Sequence, residues 1–221
     1  MNEKQLVNYL KKQTKLVLIE LLQYAYNEMN TNQRRTVFGG IIKQIPKSNI
    51  DGKQLLKQIK NFQKDSLAGE YYAPFEINSK NYTYIPEETE EWFEKLNDFL
   101  VASTQLSEQN DHSLAAECFS LLYDLIEKME DGKEIIFADE YGSWMIPGDE
   151  KIYLKAFLTS LASIKNPKEF ANASIPLIKR DSYMSVTDKV YFTAISVANK
   201  EQKAFLKEEV ERQKIQTKSN Y

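Results

Sequence analysis

The chain has 221 residues, 42% of them hydrophobic and 28% charged, with one Cys, one His and a formal net charge of −3. That length supports one large domain or two small ones around a sizeable core. A lone Cys118 excludes an intramolecular disulfide and any multi-cysteine metal site. The near-neutral total conceals a sorting. Residues 1–65 hold 12 Lys/Arg against 5 Asp/Glu, residues 66–150 hold 4 against 20, and residues 151–221 hold 13 against 7. Segregated charge decides which partners approach which surface; it does not decide fold.

Few breakers (7 Gly and 6 Pro) in a chain rich in Lys, Glu, Leu and Gln point to helix. The opening MNEKQLVNYLKK has no uninterrupted apolar run, and so reads as no secretory leader. No stretch approaches the ~18 apolar residues of a membrane span. The expectation is a cytoplasmic chain with no membrane partner.

In chain order, residues 3–12 and 14–29 read as helices; in the second, Leu16, Ile19, Leu22, Tyr26 and Met29 fall at helical spacing. Thr31 is placed to cap a helix towards Ile45, weakened by Gly39-Gly40 and ended by Pro46. Asp51 opens a helix to about Ser66. Two aromatic runs, Tyr71–Ile77 and Tyr82–Ile85, then flank Asn78-Ser79-Lys80-Asn81, which predicts a β-hairpin over about 70–85 with Pro74 on its edge. Pro86 with Glu87 and Glu88 starts a long helix to roughly Leu106. Another runs from Ser113 to Met129. A second short hairpin is expected at 134–146, with its turn at Tyr141-Gly142. Four more helices follow, at about 149–163, 167–180, 187–199 and 201–215. The softest boundary lies near 86–90, dividing a helical N-terminal region (1–86, with a winged-helix-like hairpin) from a helical-repeat-like region (87–221); one continuous domain is the other reading.

Three patterns bear on function. At about 100° per residue, Lys53, Lys57, Lys60 and Lys64 share one side of the helix from Asp51, opposite Leu55, Ile59 and Phe62. With Arg34 and Arg35 upstream and an aromatic hairpin downstream, the order matches a winged-helix DNA-binding unit. A solvated lysine face is the plainer reading, and the helix lacks the Arg, Asn or Gln pairs that read base edges. Nucleic-acid binding through it would be phosphate-led and weakly sequence-specific.

The second is Asn110–Phe119. Ala115 and Phe119 stand where the second helix of a tetratricopeptide repeat places a small residue and an aromatic four positions on, with Phe99 and Leu106 available in the preceding helix. One unit over about 96–129, with no clear second copy, supports stacked antiparallel helix pairs. Such pairs commonly present grooves to peptides.

The third is EIIFADEYGSWMIPGDE, residues 134–150. Asp139, Glu140, Tyr141 and Trp144 make an acidic, aromatic surface suited to a protein partner. Catalysis by its carboxylates needs a third group placed in space. The alternative is a loop whose Phe137, Trp144 and Ile146 enter the core while its carboxylates stay wet.

GKEIIFADEYGSWMIPGDEK, with the upstream YYAPFEINSKN and the downstream PLIKRDSYMS, resembles a family of uncharacterised bacterial proteins from about residue 60 to the C-terminus. The resemblance implies a bacterial source and one continuous helical module, and brings no activity, cofactor or catalytic residue.

No GxxxxGK[ST], GxGxxG, GxSxG or HExxH is present. His112 and Cys118, six residues apart, project to different sides of one helix, and Cys118 falls in its apolar stripe. No catalytic residue, metal or cofactor is assigned. The reading is a mainly α, TPR-like layer of antiparallel helix pairs with one or two hairpins, acting as a non-catalytic protein- or peptide-binding module. Two alternatives stand: nucleic-acid binding through helix 51–65 and hairpin 70–85, and an enzyme using carboxylates of 134–150.

Overall fold

The computed structural model describes residues 3–29, 33–34, 36–38, 49–137, 145–179, 187–215 and 217. The chain is mainly α, and no strand occurs among the described residues. Its contacts divide it into two compact units, Met1–Ser48 and Asn49–Tyr221.

The first unit carries α1 (Glu3–Leu10) and α2 (Lys15–Glu28). Thr14 caps α2, its hydroxyl accepting the Val17 N–H at 3.4 Å. Helical backbone recurs at 33–34 and 36–38; the rest of the helix expected from Thr31 to Ile45 lies outside the described residues. None of the described apolar side chains in this unit is buried, although α2 is apolar on every side. A helix with that pattern ordinarily sits inside a core.

The second unit is built from α3 (Gly52–Leu67), α4 (Glu87–Glu108), α5 (His112–Glu130), α6 (Glu150–Ile164), α7 (Pro167–Lys179), α8 (Thr187–Val197) and α9 (Lys200–Arg212). Asp51 caps α3, accepting the N–H groups of Lys53 (3.0 Å) and Gln54 (3.1 Å). Leu55, Ile59 and Phe62 are buried on its inner side, as their spacing predicts. The principal contacts join each helix to the next or the next but one: α3 to α4 and α5, α4 to α5 and α6, α5 to α6, α6 to α7 and α8, and α7 to α8 and α9. The core runs through these contacts. Trp92, Leu96, Phe119, Leu122, Leu158 and Phe170 are among its sealed side chains. Ala115 is also sealed, which lets α5 approach its neighbours closely.

The hairpin expected at 70–85 is not formed. Its central turn exists, but the backbone groups that a ladder would use are taken by asparagine side chains. Asn81 Nδ2 donates to the Glu76 carbonyl (2.9 Å), Asn81 Oδ1 accepts the Asn78 N–H (2.7 Å), and Asn78 Oδ1 accepts the Lys80 N–H (2.9 Å). Pro74 has no N–H to contribute. The aromatic rings cluster without a ladder: Phe75 meets Tyr84 of the second run and Phe137 edge-on at 5.2 and 5.1 Å, and Tyr72 meets Phe137 at 5.9 Å. Of the hairpin expected at 134–146, residues 138–144 lie outside the described residues, and neither 134–137 nor 145–146 is strand.

Candidate functional site

The four lysines of α3 are exposed along its outer side. Lys60 Nζ reaches Glu117 of α5 at 2.8 Å, so one of the four is paired to the acidic middle of the chain. Gln63 on the flank donates to Asp124 of α5 at 2.9 Å. The helix is thereby tied to α5 through both side chains. Arg34 belongs to the other unit and serves α2. Its guanidinium donates to the carbonyls of Tyr26 (2.9 Å) and Asn27 (3.2 Å) and lies 4.7 Å over the Tyr26 ring. Both carbonyls lie in the last turn of α2, where that of Tyr26 also accepts the Met29 N–H at 3.3 Å. Arg35, Asp139, Glu140, Tyr141 and Trp144 lie outside the described residues.

Around the acidic loop, Phe137 joins the Tyr72–Phe75 ring cluster and Ile146 packs on the core. Asp149 caps α6, accepting the Lys151 N–H at 3.1 Å. Among the described residues, no three His, Cys, Asp or Glu side chains gather to hold a metal.

His112 and Cys118 do not form a reactive pair. Ser160 Oγ lies 3.4 Å from His112 Nδ1 and donates to Ser107 Oγ (2.8 Å), which donates to the Ala156 carbonyl (3.1 Å). With Ser160's only proton committed to Ser107, Nδ1 is the donor to Ser160. The chain of bonds stitches α4, α5 and α6 together. Cys118 is sealed, and burial, followed by the neighbouring Glu117, pushes its thiol up to about 11. A thiol so protected is no nucleophile.

The feature that sequence reasoning missed is a groove of about 950 Å³ bounded by α5, α6 and α7. Its bottom is aromatic: Tyr123 and Phe157 stack with centroids 5.6 Å apart and planes at 10°, and Phe119 stacks on Phe157 from below at 5.3 Å. Its α5 lip is acidic, carrying Asp124, Glu127, Glu130 and Asp131. Lys128 pairs with Asp124 at 2.6 Å, and Glu127, Glu130 and Asp131 are exposed. The opposite wall is α7, with Pro176 inside the helix. Pro176 has no N–H for the carbonyl four residues back, so the Asn172 carbonyl receives no intrahelical bond from that position. The groove thus sets carboxylates on one side, the largely apolar wall of α7 on the other and aromatic side chains between. Asp124, Glu127 and Asp131, at i, i+3 and i+7, were the signal in the sequence, together with the interior proline.

No protein-family model matches the chain. Neither a curated protein nor a solved structure matches it. The resemblance drawn from 71–81, 132–151 and 176–185 therefore gains no activity from those comparisons, and function has to be argued from the groove and the helix faces. No described helix is long and apolar enough to cross a membrane.

Proposed function

We propose that residues 49–215 are a helical-repeat-like module that binds a protein or peptide segment in the groove between α5, α6 and α7. The observation that carries this reading is the groove's division of labour: an acidic lip, an aromatic bottom and a wall with an interior proline. Grooves between packed helices are a recurrent way of holding an amphipathic helix or extended peptide. The contact pattern supports the repeat-like description, since stacked helical pairs touch only near neighbours along the chain. Among the described residues of the rim, carboxylates outnumber the cation Lys179, which favours a basic segment with apolar side chains for the rings.

The test is fluorescence anisotropy with two labelled amphipathic helical peptides, one of Lys and Leu and one of Glu and Leu. The Lys/Leu peptide should bind, more weakly as salt rises, and lose affinity about tenfold or more in Glu127→Lys/Asp131→Lys. Equal binding of both peptides, or binding of neither, would overturn the reading.

A second reading rests on Lys53, Lys57 and Lys64, whose ammonium groups stand on the exposed side of α3. A polyanion held there would make phosphate contacts, and its affinity would fall steeply with salt. A Lys53→Glu/Lys57→Glu/Lys64→Glu variant should abolish retention of duplex DNA or RNA; salt-independent binding, or none by the native chain, removes this alternative.

A further inference from the structure

Only Ala198 and Asn199 connect α8 to α9. Helical hydrogen bonds reach this connection from both sides: the Ala198 N–H donates to the Ala194 carbonyl (3.1 Å) and the Lys203 N–H to the Asn199 carbonyl (3.0 Å). Asn199 marks the break, with an extended backbone at φ −73° and ψ 177°. Other described connections of the second unit carry a residue that favours their break. Pro86 precedes α4, Asn110 at φ +65° separates α4 from α5, Gly148 at φ +99° precedes α6, and Pro167 opens α7. The comparison with α7 is direct. There too an asparagine caps the helix, Asn166 Oδ1 accepting the Glu169 N–H at 2.9 Å, but the next residue is Pro167. A proline in that place fits the start of a helix and opposes a helix running through it. Asn199 is followed instead by Lys200, and no residue from Val197 to Lys200 is Gly or Pro. With 198 and 199 in the helical region, α8 and α9 would become one helix over 187–212, about 39 Å long.

We infer that two copies of this chain pair by exchanging α9. In each, α8 and α9 straighten into one helix, and α9 takes the place of its counterpart on the other copy's α7. A straightened helix in a lone copy would bare Leu206 and Val210, which are sealed in the closed one. It would also take Gln202 away from the Ala162 and Lys165 carbonyls. A second copy restores these contacts, because it offers the same face of α7 and the same end of α6. The difference between the two arrangements lies at the hinge. Each copy gives up the capping box of Asn199 and Gln202, and gains the i→i−4 bonds from the N–H groups of 199–202 to the carbonyls of 195–198. The exchange is reciprocal, so the pair is closed and recruits no third copy. The loss of free motion on pairing confines it to high concentration. None of this depends on what the α5/α6/α7 groove binds.

Sedimentation velocity on the full chain, refolded from urea at millimolar concentration so that both arrangements are accessible, tests the exchange. The native chain should contain dimer, and should be monomeric when refolded at micromolar concentration. Lys200→Pro reproduces at position 200 the proline found at 167. It suits the closed monomer, because the first N–H groups of a helix have no intrahelical acceptor and Asn199 already has the extended backbone favoured before proline. This variant should be folded by circular dichroism and monomeric at both concentrations. Asn199→Ala removes the cap that holds the break, and should tighten the dimer by about tenfold or more, since two hinges contribute to each pair. A native chain that is monomeric throughout would overturn the inference. So would a Lys200→Pro chain as dimeric as the native one, or an Asn199→Ala chain no more dimeric, which are the results that pairing through any other surface gives.

Discussion

Trp92 and Ser66 are both sealed from solvent, and the indole N–H of Trp92 donates to Ser66 Oγ over 2.9 Å. The bond joins α3 to α4 at a point where no water can replace either partner. Ser66→Ala should therefore leave a buried donor without an acceptor and cost about 1–3 kcal/mol. Urea unfolding measures it. Adding Trp92→Phe to Ser66→Ala should cost less than it does in the native background, because the orphaned N–H leaves with the indole.

Gly148 stands at φ +99°, and a Cβ there would collide with Tyr153 Oη. That hydroxyl donates to Asn97 Oδ1 at 2.8 Å, holding the start of α6 against α4. Gly148→Ala combines a strained backbone with a clash, and should lower stability by roughly 2 kcal/mol or more. Thermal melting should show the loss, with part of it recovered by Tyr153→Phe, which removes the atom that the new methyl meets.

Gln202 closes two helices at once. Its side-chain oxygen accepts the Asn199 N–H (2.9 Å) in the capping box of α9, and its Nε2 donates to the carbonyls of Ala162 (2.9 Å) and Lys165 (3.0 Å) at the end of α6. The side chain is buried. Gln202→Leu should cost about 1–3 kcal/mol, since backbone groups are left without partners. Gln202→Glu should be worse at pH 7 than at pH 4: the carboxylate faces two carbonyls, whereas the protonated acid can donate to one. Denaturant midpoints at the two pH values report the sign.

For Cys118 the folded thiol titrates near 11, above the ordinary 9.0. Both folded and unfolded forms are protonated well below pH 9. Between about 9 and 11 the unfolded chain loses the proton while the folded chain keeps it, so stability falls as pH rises through that window. Cys118→Ala should flatten the fall relative to the native chain. At pH 8 a thiol reagent should label the native chain only at the rate of unfolding, and the denatured chain at once.

Much of the helical content was legible because it obeys a period. Asp51 as a cap and Leu55, Ile59 and Phe62 at helical spacing place α3 where it lies, and Pro86 followed by Glu87 and Glu88 places the start of α4. The 70–85 segment misled because aromatic runs around a turn look alike whether their rings pair across a ladder or cluster around one phenylalanine. The asparagine side chains that capture the backbone decide it, and a strand propensity does not contain them. In α2 Leu16, Ile19 and Leu22 fall at helical spacing, but spacing says nothing of what covers a side chain; Leu16 and Leu22 are exposed. The groove was out of reach for a different reason. Its lip is on α5 and its proline wall on α7, more than forty residues apart in sequence, and only the packing of α5 and α7 about α6 brings them together.

The run of principal contacts to the next helix or the next but one also sets how the second unit comes apart. The principal partner of α9 is α7, beyond which it is anchored through Gln202 to the end of α6. Detaching it breaks few bonds elsewhere, whereas releasing α5 or α6 disrupts contacts on both sides. Amide exchange should therefore be graded along the chain: earliest in α9, then α7 and α8, and slowest where Phe119, Leu122 and Leu158 meet. The C-terminal helices would then act as a detachable end-piece, able to peel away while the α4–α6 centre keeps its shape.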